Sequence, residues 1–244
     1  MIRAILFDLD GTLVHYDFDT FVKEYLAALG ARLADMVEPG FLARQIMKST
    51  EAMVRNLDPL RTNRDVFAED FFPAIGIPED VVMPVFDDFY RRDFPKLGCR
   101  LGIRPHPAAR RMIEGLMSRG FEVVIATNPV FPLIAIEERM RWGGLEGLPY
   151  RLVTSYETMH FCKPNREYYM EVLELISRTP EECLMVGNDV EEDLVAGTLG
   201  MTTYLVEDFL LDRGRVQNHP DFRGTSMISY ASWSMGGSER ITTG

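Results

Sequence analysis

Asp8 and Asp10 stand two residues apart in Asp8-Leu9-Asp10-Gly11-Thr12, directly after the apolar run Ala4-Ile5-Leu6-Phe7. In a parallel sheet, ligands sit beyond the carboxyl ends of the strands. Asp8 is the first polar residue at such an edge. A turn that Gly11 allows aims both carboxylates into one small space. Two carboxylates this close repel each other unless a cation or a proton sits between them. Magnesium suits the position, because it is hard, binds oxygen and keeps waters that a phosphate can displace.

Three further groups follow the same placement. Thr127 and Asn128 end a second apolar run, where a hydroxyl and the next backbone N–H groups can hold a phosphoryl oxygen. Pro129 then opens a helix whose N-terminus favours an anion. Lys163-Pro164 lies in the loop after the 151–154 strand and before a helix at Asn165, where a lysine supplies positive charge to a phosphoryl group and screens Asp8. Gly187-Asn188-Asp189 ends a fourth run, and Asp193 lies four residues past Asp189, on the same helix face. A threonine at a strand end, a single lysine and an acidic helix start are each commonplace. The four together, in the order carboxylate pair, hydroxyl, lysine, acidic cluster, are not.

The elements that must position them are legible as pattern. Short apolar runs at 4–7, 123–126, 152–153, 183–186 and 204–206 lack alternation, as strands buried on both faces do. Helical spacing over 107–118, 165–176 and 190–199 separates the later runs. Strands alternating with helices predict an α/β fold, a parallel sheet covered on both sides. Residues 14–104 break the rhythm. They read as helices over 18–36, 41–57, 65–75 and 79–94, punctuated by Pro39, Pro59, Pro78 and Pro95. The expected organisation is a catalytic core of residues 1–13 and 105–210, an all-helical cap domain of 14–104 and a C-terminal extension of 211–244. From Thr225 the chain is rich in Ser, Gly and Thr and reads as poorly ordered or peripheral.

Composition narrows the function classes. The 244 residues are 46% apolar, enough for a sizeable core. A net charge of −11 argues against nucleic acid or an anionic membrane as the main partner. Cys99, Cys162 and Cys183 form no CxxC pair, which fits a reducing compartment. Scattered histidines argue against a histidine-based zinc site. No signal peptide or membrane-spanning run is visible, so a cytoplasmic protein is expected.

The ordered set Asp8-Leu9-Asp10-Gly11-Thr12, Thr127-Asn128, Lys163-Pro164 and Gly187-Asn188-Asp189 with Asp193 resembles the haloacid dehalogenase-like hydrolase superfamily. The likeness covers residues 1 to about 206, and the helical insertion lies where one branch of that family carries its cap. It implies a Rossmann-like three-layer core, Mg2+ dependence and phosphatase activity through an aspartyl-phosphate. On that basis Asp8 is the nucleophile. Asp10 is the general acid, then the base for water, and ligates magnesium through its backbone carbonyl. Gly11, Thr12, Thr127, Asn128 and Lys163 bind the phosphoryl oxygens, and Lys163 also counts among the catalytic groups. Asp8, Asp10, Asn188 and Asp189 are the candidate metal ligands, and Asp193 orients them or Lys163 from behind.

One position departs from the pattern. The family most often has Gly-Asp where this chain has Gly187-Asn188, so either Asn188 or Asp189 carries the metal. Asp10 argues against a dehalogenase, in which the halide leaves without a proton, and against the phosphonate-cleaving branch. A phosphomutase keeps both aspartates, although Thr12 favours a phosphatase. A silent phosphate-binding or interaction member is the other alternative, supported by Asn188. The expected partner is a small-molecule phosphate ester, with the protein a monomer or small homo-oligomer. Tyr16 and Phe18, at the hinge into the insertion, read as packing residues.

Overall fold

The computed structural model describes residues 1–106 and 108–224. Its sheet has six strands: β1 (Ala4–Phe7), β2 (Glu122–Ile125), β3 (Leu152–Val153), β4 (Cys183–Gly187), β5 (Thr202–Val206) and β6 (Phe222–Gly224). They lie in the order β3-β2-β1-β4-β5-β6, and every neighbouring pair is parallel. The period of two along a strand explains why the runs are apolar throughout. Ile5 and Phe7 enter one core with Val123, Ile125, Leu184 and Val186, while Ala4 and Leu6 enter a second with Val124, Cys183 and Met185. Each face of the sheet therefore carries its own apolar layer, giving the three-layer α/β arrangement expected from the sequence.

Five helices stand between β1 and the next core helix: α1 (Phe18–Arg32), α2 (Pro39–Arg55), α3 (Asn63–Ile75), α4 (Glu79–Arg92) and α5 (Phe94–Arg100). Local chemistry sets their ends. The Asp17 carboxylate caps α1 by accepting from Thr20 N at 2.8 Å. Thr62 and Asp65 form a capping box on α3, and Gly76 ends that helix with φ +70°. Proline starts α2 and lies in the first turn of α5, so Pro95 opens a further helix where the sequence pattern suggested only a stop. The insertion shares the apolar cluster of Ile5 and Phe7 and meets the rest of the chain through rings at Phe131 and Trp142: Phe21 contacts both, Tyr25 contacts Phe131, and Phe94 stacks on Trp142. It is also tied to the core by polar groups. Asn63 N donates to Met159 O at 2.8 Å, Asn165 Nδ2 to Val54 O at 2.7 Å, and Asn56 Nδ2 to His160 O at 3.1 Å.

The remaining helices are α6 (Ala109–Ser118), α7 (Leu133–Trp142) and α8 (Arg166–Ile176). Two expectations are corrected. The helix after Thr127 begins at Leu133, capped by Pro132, because Asn128–Val130 form a tight turn first. Residues 190–199 are turns followed by a 3-10 helix, Leu194–Leu199. The Asp189 carboxylate holds the N–H groups of Glu191 and Glu192, both at 2.9 Å, and so closes a turn in place of a regular helix. The segment after β5 adds β6 to the edge of the sheet, which the sequence pattern did not signal. The reading from Thr225 onward lies outside the described residues. Among the described residues, no helix is long and apolar enough to cross a membrane.

Candidate active site

Strand register brings the sequence-predicted groups together. Phe7 sits level with Ile125 of β2 and Val186 of β4. One step further, Asp8 N donates to Val186 O at 2.9 Å and Ala126 N to Phe7 O at 2.7 Å. Asp8, Thr127 and Gly187-Asn188 thus emerge side by side at one edge, and all but Gly187 line a single cavity. Gly187 is required there, since a Cβ on it would meet Asp193 Oδ2 at 2.0 Å.

Lys163 is fully buried. Its ammonium donates to Asp8 Oδ1 at 2.9 Å and to Asp193 Oδ1 at 2.7 Å. Asp193 Oδ2 in turn accepts from Asp189 N at 2.9 Å. Burial, with the charges of Asp193 and Asp10 adding, pushes the Asp8 carboxyl up to about 7 against the pull of Lys163. Burial also opposes the Lys163 charge, but the Asp193 and Asp8 carboxylates outweigh it and hold the ammonium well above its ordinary value. Lys163 therefore stays charged between its two acids.

Asp10 is held by groups that the sequence did not single out for it. Tyr16 Oη donates to Asp10 Oδ1, and Arg139 Nη1 donates to Asp10 Oδ2. Burial and the neighbouring Asp10 charge push the Tyr16 phenol well up, so it remains a donor. Arg139 comes from α7 and is buried, its guanidinium 4.7 Å from the centre of the Phe131 ring. Its Nε and Nη2 have no hydrogen-bond partner. No local motif marks Arg139, because it lies 129 residues from Asp10. Tyr16 was read as packing; it packs on Phe21 and also carries this hydrogen bond.

Gly11 has φ +80°, and a Cβ there would meet Asn188 Nδ2 at 2.5 Å. The Thr12 hydroxyl is buried and donates to Asn188 Oδ1 at 2.9 Å, so it braces the neighbouring loop. Asn188 Nδ2 donates to Phe209 O at 2.6 Å, which fixes the amide with its oxygen toward Thr12. Both Asp189 oxygens are engaged: Oδ1 by the Glu191 and Glu192 N–H groups, Oδ2 by Arg213 Nη1 at 2.7 Å. Asn128 Nδ2 donates to Glu192 Oε2 at 3.1 Å, and Asn128 Oδ1 is buried without a partner. The Thr127 carbonyl accepts from the Thr154 hydroxyl at 2.7 Å and the Tyr168 phenol at 3.0 Å, which pins the end of β2. Burial and the Asp189 charge push Glu192 up to about 8.

The donor set fits a hard divalent cation. Five acids, Asp8, Asp10, Asp189, Glu192 and Asp193, face three cations, Lys163, Arg139 and Arg213. Burial chiefly raises Asp8 and Glu192, and neighbouring carboxylates add to it. No cluster of three or more His, Cys, Asp or Glu side chains arranged for a metal is found among the described residues. A cation here would instead draw on one carboxylate, a backbone carbonyl and an amide oxygen, all of which are hard donors.

The comparisons agree with this geometry. The chain is 28% identical over 228 residues to the glyceraldehyde 3-phosphate phosphatase of Methanothermobacter thermautotrophicus, covering 88% of this chain and 90% of that protein. It is 26% identical over 196 residues to a phosphoglycolate phosphatase of Aquifex aeolicus, covering 80% and 79%. In structure it resembles a HAD phosphatase from Thermococcus onnurineus, with a TM-score of 0.58 and 17% identity over 98% of this chain and 100% of that one, a likeness of fold alone. A sequence profile of the haloacid dehalogenase-like hydrolase family matches residues 2–198, and with the strand-end groups in place the chain belongs to that family of hydrolases.

Proposed function

We propose that the protein is a magnesium-dependent phosphatase that hydrolyses a small-molecule phosphomonoester through an aspartyl-phosphate on Asp8. The observation that carries the reading is the pairing of Asp8 with a fully buried Lys163 that Asp193 holds from the other side. The names of its relatives support a phosphoryl substrate. The helical insertion acts as a cap over the strand ends, and the three free cysteines suit a reducing cytoplasm.

The Asp8 carboxylate attacks phosphorus, and the bond from phosphorus to the ester oxygen breaks. Asp10 gives its proton to the departing alcohol. It then takes a proton from the water that attacks the aspartyl-phosphate, which releases phosphate and restores Asp8. Arg139 and Tyr16 orient the Asp10 carboxylate for both transfers. Lys163 and the N–H groups after Thr127 receive the phosphoryl oxygens. Asp8, the Asp10 backbone carbonyl and Asn188 would hold magnesium, which when bound neutralises charge between carboxylate and phosphate. Asn188 suits better than Asp189, because its oxygen accepts one hydrogen bond while both Asp189 oxygens are occupied.

The test is phosphate release from an aryl phosphate and a panel of metabolite phosphates. Activity is expected with magnesium, none after chelation, and none with calcium, whose larger shell suits both Asp8 oxygens at once. Full activity in calcium alone, or none in magnesium on any ester, overturns the reading. Transfer of phosphate between sugar hydroxyls without net release would identify a phosphomutase instead.

A further inference from the structure

The cavity that opens from Asp8 and Asp10 continues into the helical insertion, with a volume of about 470 Å³. That is the scale of pockets that enclose whole cofactor- or drug-sized ligands, well beyond a phosphorylated two- or three-carbon acid. Its character changes along its length. The floor is acidic, as described. Beyond Tyr16 the walls are apolar, with Val22 and Leu26 from α1, Val54 from α2, Phe67 from α3 and Met83 from α4.

Several polar groups in this upper part are paired, and the Thr50 hydroxyl donates back to Ile46 O at 2.8 Å; the Tyr156 phenol also lines it. Arg64 is matched by Glu79, and the Tyr25 and Tyr90 phenols share a hydrogen bond of 2.9 Å. The cations at the floor are also committed: Lys163 to Asp8 and Asp193, Arg139 to Asp10, and Arg213 to Asp189. The three arginines that line the cavity, Arg64, Arg139 and Arg213, each have a carboxylate partner, and Arg139 at the floor keeps two further N–H groups without one. Among the described lining residues from α1 to α4, Arg64 is the one cation, and a second anionic group placed there would have to displace Glu79.

The mouth carries the second observation. Phe18 and Met47 line the cavity yet are 37% and 51% exposed, and Phe209, Leu210 and Leu211 also combine lining with exposure. Apolar side chains that line one cavity and are also exposed mark a surface that a ligand can cover. As a packing defect the space would cost every wall its contacts. Its continuity with the two catalytic carboxylates says which ligand fills it.

We infer that the alcohol released by this enzyme is apolar, so that the substrate is a phosphomonoester whose alkyl or aryl body lies between α1, α2, α3 and α4. The inference rests on the phosphatase reading for the phosphoryl end and assigns the chemistry of the other end. The phosphate sits at Asp8 while the chain of the alcohol lies against Val54, Phe67 and Met83. Phosphoglycolate, with a carboxylate in place of that chain, is a poor substrate.

The experiment uses two series on the full chain in magnesium buffer. One is binding of n-alkylphosphonates, from ethyl to octyl, by calorimetry. The other is kcat/KM for the matching n-alkyl phosphates, an aryl phosphate and phosphoglycolate. Affinity and kcat/KM are expected to rise by about threefold to fourfold per methylene until the chain reaches the far wall. Ala68→Phe, which adds a ring to the α3 wall, should bring the plateau to a shorter chain. Phosphonate affinity independent of chain length, or phosphoglycolate turned over better than the octyl ester, overturns the inference. The two readings fail separately: a rising binding series with no turnover of any ester removes the phosphatase, whereas turnover with a flat series removes the apolar alcohol. A rise on octyl but not aryl esters narrows the ligand to flexible chains.

Discussion

The strand ends and the helical insertion hold their side chains by opposite means. At the strand ends each candidate group is fixed by a directional contact from another loop: Lys163 on Asp8 and Asp193, Thr12 on Asn188, Arg213 on Asp189. Within the insertion the cavity is walled by alkyl groups and rings. Hydrogen bonds weaken steeply with distance and angle, whereas apolar contacts survive the exchange of one alkyl group for another of similar size. On the proposed function, bond-making belongs to the hydrogen-bonded edge and ligand choice to the apolar walls. Substitutions in the two regions should therefore differ in kind: rate loss at the edge, altered preference in the insertion.

The largest effect is expected at Asp8. Asp8→Asn removes the proposed nucleophile and should lower phosphate release by about a thousandfold or more on every ester, long or short. The fold should persist, since Lys163 keeps Asp193 at 2.7 Å. A variant that kept wild-type kcat in a burst-phase phosphate assay would remove the edge from the chemistry. Lys163→Met breaks the same pairing from the other side, but it leaves Asp8 and Asp193 buried without their cation. Its cost should be about 3–5 kcal/mol of stability as well as activity. Urea unfolding monitored by circular dichroism measures it, and a midpoint equal to wild type would contradict the pairing.

Next in size is Arg139. Arg139→Leu leaves Asp10 with Tyr16 as its remaining side-chain partner of this pair and should lower kcat by about a hundredfold, the scale of one general acid–base contribution. Arg139→Lys should recover part of the loss, because a cation near Asp10 is restored without the planar fork. If Arg139 merely filled space beside Phe131, leucine would be tolerated and lysine would be the worse replacement. The dependence of kcat/KM on alkyl chain length should be unchanged, since the walls are untouched.

How much of this was legible in the sequence follows the same division. Asp8, Asp10, Thr127 and Asn188 were readable because each follows the end of an apolar strand by one to three residues, and the parallel sheet brings those ends together. Lys163 lies ten residues past β3, in the loop before α8, and was anticipated from that loop and from the family resemblance of Lys163-Pro164. Arg139 and Arg213 were not, because their partners are set by how a helix and a late loop pack, over separations of 129 and 24 residues. The 190–199 segment misled in an instructive way. Its acids look like a helix start, but Asp193 accepts from Lys163 and from Asp189 N, while the Asp189 carboxylate accepts from the N–H groups of Glu191 and Glu192. The helices of the insertion were visible from periodicity and proline, whereas the cavity between them depends on side-chain angles that periodicity does not carry.

The acidic edge should also show itself as pH dependence. Asp8 is raised to about 7 and Glu192 to about 8, both mainly by burial. A carboxyl whose folded value lies above its unfolded value contributes stability that is complete below the unfolded value and lost as pH rises through the folded one. The protein without divalent cations should therefore lose thermal stability as pH climbs from the ordinary carboxylate range through about 7 to 8. Magnesium should flatten the slope by binding the ionised form, and Asp8→Asn should remove part of it. Differential scanning calorimetry across pH, with and without magnesium, reads the effect; a melting temperature that rises over this interval without metal would show that burial does not hold these carboxyls above their ordinary range.

The smallest expected effect lies where the two regions meet. Asn165 Nδ2 reaches from the start of α8 to Val54 O near the end of α2, at 2.7 Å, and so joins a core loop to a wall of the cavity. Asn165→Ala removes one such bond and should cost about 1 kcal/mol where the insertion rests on the core. Asn63 and Asn56 still bridge the same seam, so the insertion stays seated. A cap that closes before the chemistry must also open for the alcohol to leave, and weakening the seam favours the open form. KM for a long alkyl phosphate should rise a few-fold, because the open form lacks the complete wall. Its kcat should hold, or rise slightly if release limits turnover, and its dependence on solvent viscosity should change with it. For an ester too short to touch Val54, KM should not move. That contrast separates a hinge between two regions from a general loosening of the fold, which would shift KM for both esters alike.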